Sequence, residues 1–190
     1  MENPELYIIA GCNGAGKTTA SFSVLPQTLH CQEFVNADEI ARGLSPFHPE
    51  DVAVEAGRLM LKRIEFLLSQ HSSFAIETTL ATRSHQRLVR RAQQQGYKVI
   101  LLFFWLESPY VAEQRVAKRV REGGHNIPKD VIHRRYWSGL NNLFSIYMPI
   151  VDAWSLYDNN KSTILIADTD AVVDQVKFET IRLSCQNKND

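Results

Sequence analysis

The segment AGCNGAGKTT, Ala10 to Thr19, follows directly on the apolar run Leu6-Tyr7-Ile8-Ile9. Its glycines at 11, 14 and 16 permit a tight turn whose backbone N–H groups point inward. A helix starting near Gly16 would aim its positive end at the same point. Gly11, Gly16, Lys17 and Thr18 satisfy the spacing G-x-x-x-x-G-K-[ST], which predicts a strand–loop–helix unit that grips a triphosphate. Gly11, Asn13, Gly14, Ala15, Gly16, Lys17, Thr18 and Thr19 are therefore the expected nucleotide-binding set. Lys17 is expected to reach the β- and γ-phosphates. Thr18 is expected to place its hydroxyl on Mg²⁺, a cation that keeps several waters and needs few protein ligands. A purely structural glycine turn would account for the glycines but not for the Lys-Thr pair.

A loop of this kind sits at the end of a buried strand, and further short apolar runs supply neighbours for it. With Leu6 to Ala10 itself, the runs are Glu33 to Asn36, Phe74 to Glu77, Lys98 to Trp105 and Ser162 to Ala167. Segments of helical period lie between them. From Pro49 to Gln70, Val52, Ala56, Leu59, Met60 and Leu67 form one apolar stripe. Ser108-Pro109 predicts a capped helix start and Gly123-Gly124 a stop. Pro128 opens another helix carrying Val131, Ile132, Leu140, Leu143 and Tyr147, which ends or kinks near Pro149. Alternating helices and near-continuously apolar strands predict an α/β fold with a parallel sheet covered on both faces. With 190 residues, 44% of them apolar, one domain over residues 1–184 is expected, followed by a frayed polar tail over 185–190. The tail contains Asn187-Lys188-Asn189-Asp190, the letters of a guanine-reading motif, but without the preceding strand that such a motif needs.

The 21 basic residues balance the 21 acidic ones, so no global field favours nucleic acid or an anionic membrane surface, and neither is an expected partner. Three cysteines with no metal-like spacing suggest reduced thiols in the cytoplasm. The start MENPELYIIAG lacks the pattern of a secretory leader. The apolar run Val99 to Leu106 falls far short of the roughly 20 residues that a membrane span needs.

In an open parallel sheet, ligands collect at the carboxyl ends of the strands. There the second strand presents Asp38 and the third presents Glu77, followed by Thr78 and Thr79. Transfer of a phosphoryl group to an alcohol requires a group that orients the hydroxyl and accepts its proton, and Asp38 is the candidate. The alternative is that Asn36 or Asp38 merely caps the next helix. Glu77 is a candidate for holding an acceptor hydroxyl or a water of the Mg²⁺ shell. Thr78 and Thr79 either donate to substrate or serve as ordinary turn residues. Further on, Arg115, Arg119, Arg121, Arg134 and Arg135 flank the glycine-containing stretch around His125. They predict a helix–hinge–helix lid over roughly 109–136 whose arginines close on phosphate, against the alternative of a solvated, ion-paired face.

Taken in order, GCNGAGKTT, NADEIARGLSP, IETTLA, RVAKRVREGGHNIPKDVIHRRY and LNNL resemble the zeta-toxin-like P-loop kinases, including small bacterial proteins described as predicted ABC-type ATPases. The motif YDN and the run TILIA continue the pattern. The resemblance implies a three-layer P-loop NTPase fold of kinase type, with a five-stranded parallel sheet in the order 2-3-1-4-5 and a helical arginine lid. It implies ATP and Mg²⁺ as cofactors and a small, nucleotide-linked acceptor such as UDP-N-acetylglucosamine. It also implies Asp38 as base, Glu77 at the acceptor, and Arg119 with Arg134 or Arg135 on the phosphates, and it admits an antitoxin protein in trans. A nucleotide-hydrolysing switch acting through a macromolecular partner is the alternative.

Overall fold

The computed structural model of the chain describes residues 3–124 and 126–186. His125 and residues 187–190, the guanine-motif letters, lie outside the described residues.

Strand β1 (Glu5–Ala10) lies in the middle of the sheet because Leu6 to Ala10 are buried on both faces. Strand β3 (Phe74–Thr78) pairs with one edge of β1, and β4 (Lys98–Trp105) with the other, both parallel. The short β2 (Phe34–Val35) adds outside β3. In this register Ile9 lies opposite Glu77 and Ala10 opposite Thr78, so Glu77 and Thr78 emerge level with the phosphate loop.

On the other side, the expectation of five parallel strands is corrected. The fifth strand, β5 (Ala153–Asp158), runs parallel to β4, and the stretch expected to be fifth is β6 (Ile164–Asp168), a sixth strand antiparallel to β5. The full order is β2-β3-β1-β4-β5-β6. Only the short turn after Asp158 joins β5 to β6, far less than the dozen or so residues that a parallel crossover requires. Strand β5 escaped the sequence reading because it carries one fully buried apolar side chain, Leu156, among partly exposed ones.

Helices α1 (Lys17–Gln27), α2 (Ala37–Leu44), α3 (Ala53–Ser69), α4 (His85–Gln94), α5 (Pro109–Arg121), α6 (Lys129–Asn142) and α7 (Gln175–Gln186) cover the sheet. A 3₁₀ turn, Pro49–Val52, precedes α3. The buried stripe of α3 is Ala56, Met60, Ile64, Leu67 and Leu68, whereas Leu59, expected on that face, points outward. The start of α5 is built as expected: Pro109 occupies its first turn and the Val111 N–H donates to Ser108 Oγ at 3.3 Å. Helix α6 passes into a π turn at Leu143–Tyr147 before Pro149. Ala112 and Val116 of α5, with Ile132, Tyr136 and Leu140 of α6, join the common core. Cys185, expected in a frayed tail, is instead buried in α7, whose apolar face also holds Ile181 in the core.

Candidate active site

The phosphate loop connects β1 to α1, with φ of 140° at Gly11, 79° at Gly14 and 82° at Gly16. At Gly14 the close approach of α5 also demands glycine, since a β-carbon would sit 2.9 Å from the Ala112 carbonyl oxygen. Lys17 begins α1 and is only 6% exposed, with Nζ donating to the Cys12 carbonyl at 3.1 Å and lying 3.5 Å from Glu77 Oε1. The other oxygen, Glu77 Oε2, accepts from Thr18 Oγ1 at 2.7 Å and from Asn36 Nδ2 at 2.8 Å. One carboxylate thereby ties the loop lysine, the loop threonine and the end of β2 together.

Asn36 is also the cap of α2, its Oδ1 accepting from the N–H groups of Asp38 at 2.8 Å and Glu39 at 3.4 Å. The amide does the capping, and the Asp38 carboxylate is left to face the clefts. A cleft of about 430 Å³ runs along the phosphate loop past Lys17, Thr18, Asp38, Glu77, Arg115 and Arg119. A second, of about 150 Å³, lies between Asp38, Glu77, Thr78, Thr79 and Arg135. A third, of about 90 Å³, lies between α2, the 3₁₀ turn and Arg119. Asp38 lines all three clefts.

The arginines divide by position. Arg119 of α5 lines the phosphate-loop cleft, and Arg135 of α6 donates from Nη1 to Asn13 Oδ1 at 3.3 Å. Arg134 is exposed, so of the adjacent pair α6 turns Arg135 toward the loop. Arg115 donates to the Asn160 carbonyl and lies 3.5 Å from the Gly14 carbonyl. Thr78 acts in its own turn, with Oγ1 accepting from the Leu80 N–H at 3.0 Å, and Thr79 lines the second cleft.

Sequence reasoning did not single out Asn159, whose Nδ2 donates to the Ala15 carbonyl at 2.6 Å and braces the loop from the turn after β5. Its signal was the YDN motif. Nor did it single out Arg42, which lines two clefts beside Asp38. Burial pushes the Cys12 thiol up to about 11, so this loop cysteine is a packed neutral group and not a thiolate nucleophile. Among the described residues no cluster of histidine, cysteine and acid side chains could hold a metal by itself, and no helix is long and apolar enough to cross a membrane.

Residues 1–169 match the zeta toxin family model. The chain belongs to the zeta toxin family. As a member it has the α/β P-loop kinase fold and is an ATP-dependent kinase, a phosphotransferase. An uncharacterized protein of Haemophilus influenzae is 30% identical over 137 residues, covering 72% of this chain and 94% of that protein. Among solved structures, a chain of the PezAT chromosomal toxin-antitoxin system of Streptococcus pneumoniae superposes with a TM-score of 0.67 at 18% identity, covering 100% of this chain and 87% of that one. AvrRxo1-ORF1:AvrRxo1-ORF2 with sulphate ions gives a TM-score of 0.79 at 18% identity, covering 94% of this chain. This family member spans 63% of that longer chain. At these identities the likeness extends to the fold.

Proposed function

We propose that the protein transfers the γ-phosphoryl group of ATP to a hydroxyl of a small, nucleotide-linked acceptor of the UDP-N-acetylglucosamine class. The observation that carries this reading is the position of Asp38. Its carboxylate lies where the phosphate-loop cleft meets the two smaller ones, while Asn36 satisfies the helix cap. A carboxylate between the nucleotide and acceptor spaces suits a base. Asp38 accepts the hydroxyl proton, the acceptor oxygen bonds to the γ-phosphorus, and the bond to the β,γ-bridging oxygen breaks to release ADP.

ATP binding agrees with the AvrRxo1-ORF1:-ORF2 neighbour solved with ATP, at a TM-score of 0.77. Lys17 and the loop N–H groups take the phosphates, and Arg119 and Arg135 balance charge on the transferring group. The donor set also fits Mg²⁺: Thr18 Oγ1 and the Glu77 carboxylate are hard oxygen groups 2.7 Å apart, of the few-ligand kind that this ion uses with phosphates. When bound, Mg²⁺ would neutralise charge on the β- and γ-oxygens. Glu77 borders both larger clefts, so it would be placed to hold a water of the metal's shell or an acceptor hydroxyl. Residues 109–136 form the lid in this reading, delivering arginines from α5 and α6. An antitoxin in trans is the proposed protein partner, by analogy with the PezAT toxin-antitoxin system.

The deciding experiment incubates a metabolite extract with ATP and either wild type or Lys17→Ala, and reads products by mass spectrometry. A gain of one phosphate on a UDP-sugar with wild type alone supports the reading, and Asp38→Asn should abolish it with ATP binding intact. A gain on a metabolite of another class would redirect the acceptor. Phosphate release stimulated by a protein partner, with no phosphorylated small molecule, would replace the kinase reading with a nucleotide-driven switch.

A further inference from the structure

The turn after β3 is held in a conformation that its sequence does not favour. Leu80 has a φ of 59°, in the left-handed region that an L side chain resists, and its side chain is fully buried. Strain of this kind persists only where the surroundings over-determine the backbone, and it gathers at sites that must be pre-set.

The surroundings are those of α6. Asn142, 8% exposed, donates from Nδ2 to the Leu80 carbonyl at 2.8 Å. Gly139 lies so close beneath Thr79 that a β-carbon would collide with its carbonyl oxygen. From the π turn beyond, Tyr147 donates its hydroxyl to the Thr82 carbonyl at 2.8 Å. A helix that only had to cover the sheet would place an apolar side chain at 142, since burying an amide is worthwhile only when it meets a specific partner.

Asn142 and Gly139 share a face of α6 with Arg135, at spacings of three, four and seven. Arg135 reaches Asn13 of the phosphate loop. One stripe of one helix thus touches the nucleotide loop at one end and the Thr78–Leu80 turn at the other.

We propose that Gly139 and Asn142 are positioning residues that hold Thr78 and Thr79, and so the acceptor cleft, at a set distance from the bound phosphates. The inference rests on the kinase reading above. It assigns a task to the LNNL motif and to the left-handed Leu80 together. Because reacting atoms must meet within tenths of an ångström, loosening this turn costs transfer and acceptor affinity while the grip on ATP survives.

The test compares wild type with Asn142→Ala, with Asn142→Leu, which keeps side-chain volume but cannot donate, and with Gly139→Ala. Each variant is first checked for native circular dichroism. ATP affinity is measured by calorimetry, and transfer is measured with γ-labelled ATP and a small-molecule cell extract as the acceptor source. Amide exchange is followed in peptides covering residues 76–84 and 11–19. The expected result is a 10- to 100-fold loss of transfer with ATP affinity as in wild type. Exchange should rise about tenfold or more in the turn and stay unchanged in the phosphate loop.

Unchanged transfer and unchanged turn exchange in the folded variants would overturn the proposal. So would losses of ATP affinity and transfer in step with faster exchange throughout, or a failure of all three variants to fold, since each marks an ordinary structural contact. Absence of transfer by the wild type would overturn the kinase reading and the acceptor half of this one. The exchange arm would still decide whether Asn142 sets the turn.

Discussion

Glu77 Oε2 accepts the Thr18 hydroxyl at 2.7 Å while Glu77 Oε1 lies 3.5 Å from Lys17 Nζ. One partly buried carboxylate from β3 therefore holds both of the loop side chains proposed to serve phosphate and metal. Removing it leaves the Lys17 ammonium buried without its counter-charge, which costs about 3 kcal/mol. Glu77→Gln should lower the unfolding free energy read from urea titration by that order in the absence of nucleotide. Saturating Mg²⁺ and ATP should recover most of the loss, because the phosphates then stand opposite Lys17. A midpoint equal to wild type without nucleotide would mean that the pair carries no weight.

Asn36 has two tasks, and a substitution separates them. Asn36→Ser keeps a good helix cap but cannot reach Glu77, so it should lose only the hydrogen bond to the carboxylate, about 1.5 kcal/mol. Activity should fall as the Glu77 carboxylate loses a donor. Asn36→Ala loses both tasks and should cost about 1 kcal/mol more in thermal or urea unfolding.

Arg134 and Arg135 are neighbours in sequence with opposite surroundings. Arg135→Ala should lower kcat by about 100-fold, the usual loss when one donor to developing charge is removed. Arg134→Ala, at an exposed position, should leave kcat and both KM values near those of wild type. Steady-state kinetics on the two variants reads the difference directly.

At the end of β5, burial pushes the Asp158 carboxyl up, but Lys177 at 2.8 Å and two donations from Asn160 outweigh it, so Asp158 titrates below its ordinary value of 3.8. A depressed carboxyl contributes stability that is complete above the unfolded value and is lost as pH falls through the folded one. Asp158→Asn should therefore be less stable than wild type near neutrality. Its stability should fall less steeply from about pH 4 downward, as read from urea midpoints across that range.

Burial raises the thiols of Cys12 and Cys185 to about 11 and that of Cys31 above its ordinary value. Iodoacetamide at pH 8 should modify none of the three in the native protein within the time that fully labels them in urea. Rapid native labelling of Cys12 would mean that the phosphate loop opens.

Much of the candidate site was legible because it is local. The phosphate loop is a run of adjacent residues, and Asp38 and Glu77 follow apolar runs that end at one sheet edge once the strands are parallel. Asn36 is the residue that caps α2, its amide oxygen taking the N–H groups of Asp38 and Glu39 while its nitrogen reaches Glu77 of β3, a long-range contact that no spacing along the chain encodes. Strand β5 was missed since its partners cover only Leu156 completely, leaving too little apolar signal to mark it.

By itself the sequence determined the strand–loop–helix proposed to hold phosphate, the carboxylates that come at or just after the ends of β2 and β3, and the start of α5. Each of these depends on residues within a few positions of one another. Tertiary structure alone decided which of Arg134 and Arg135 meets the loop, because adjacent helical residues point about 100° apart. The rotation of α6 is set by burying Ile132, Tyr136 and Leu140. The same packing brings Asn159 to Ala15 and Asn142 to Leu80, across separations of 144 and 62 residues. Such contacts are products of how the layers close, and local spacing carries no record of them.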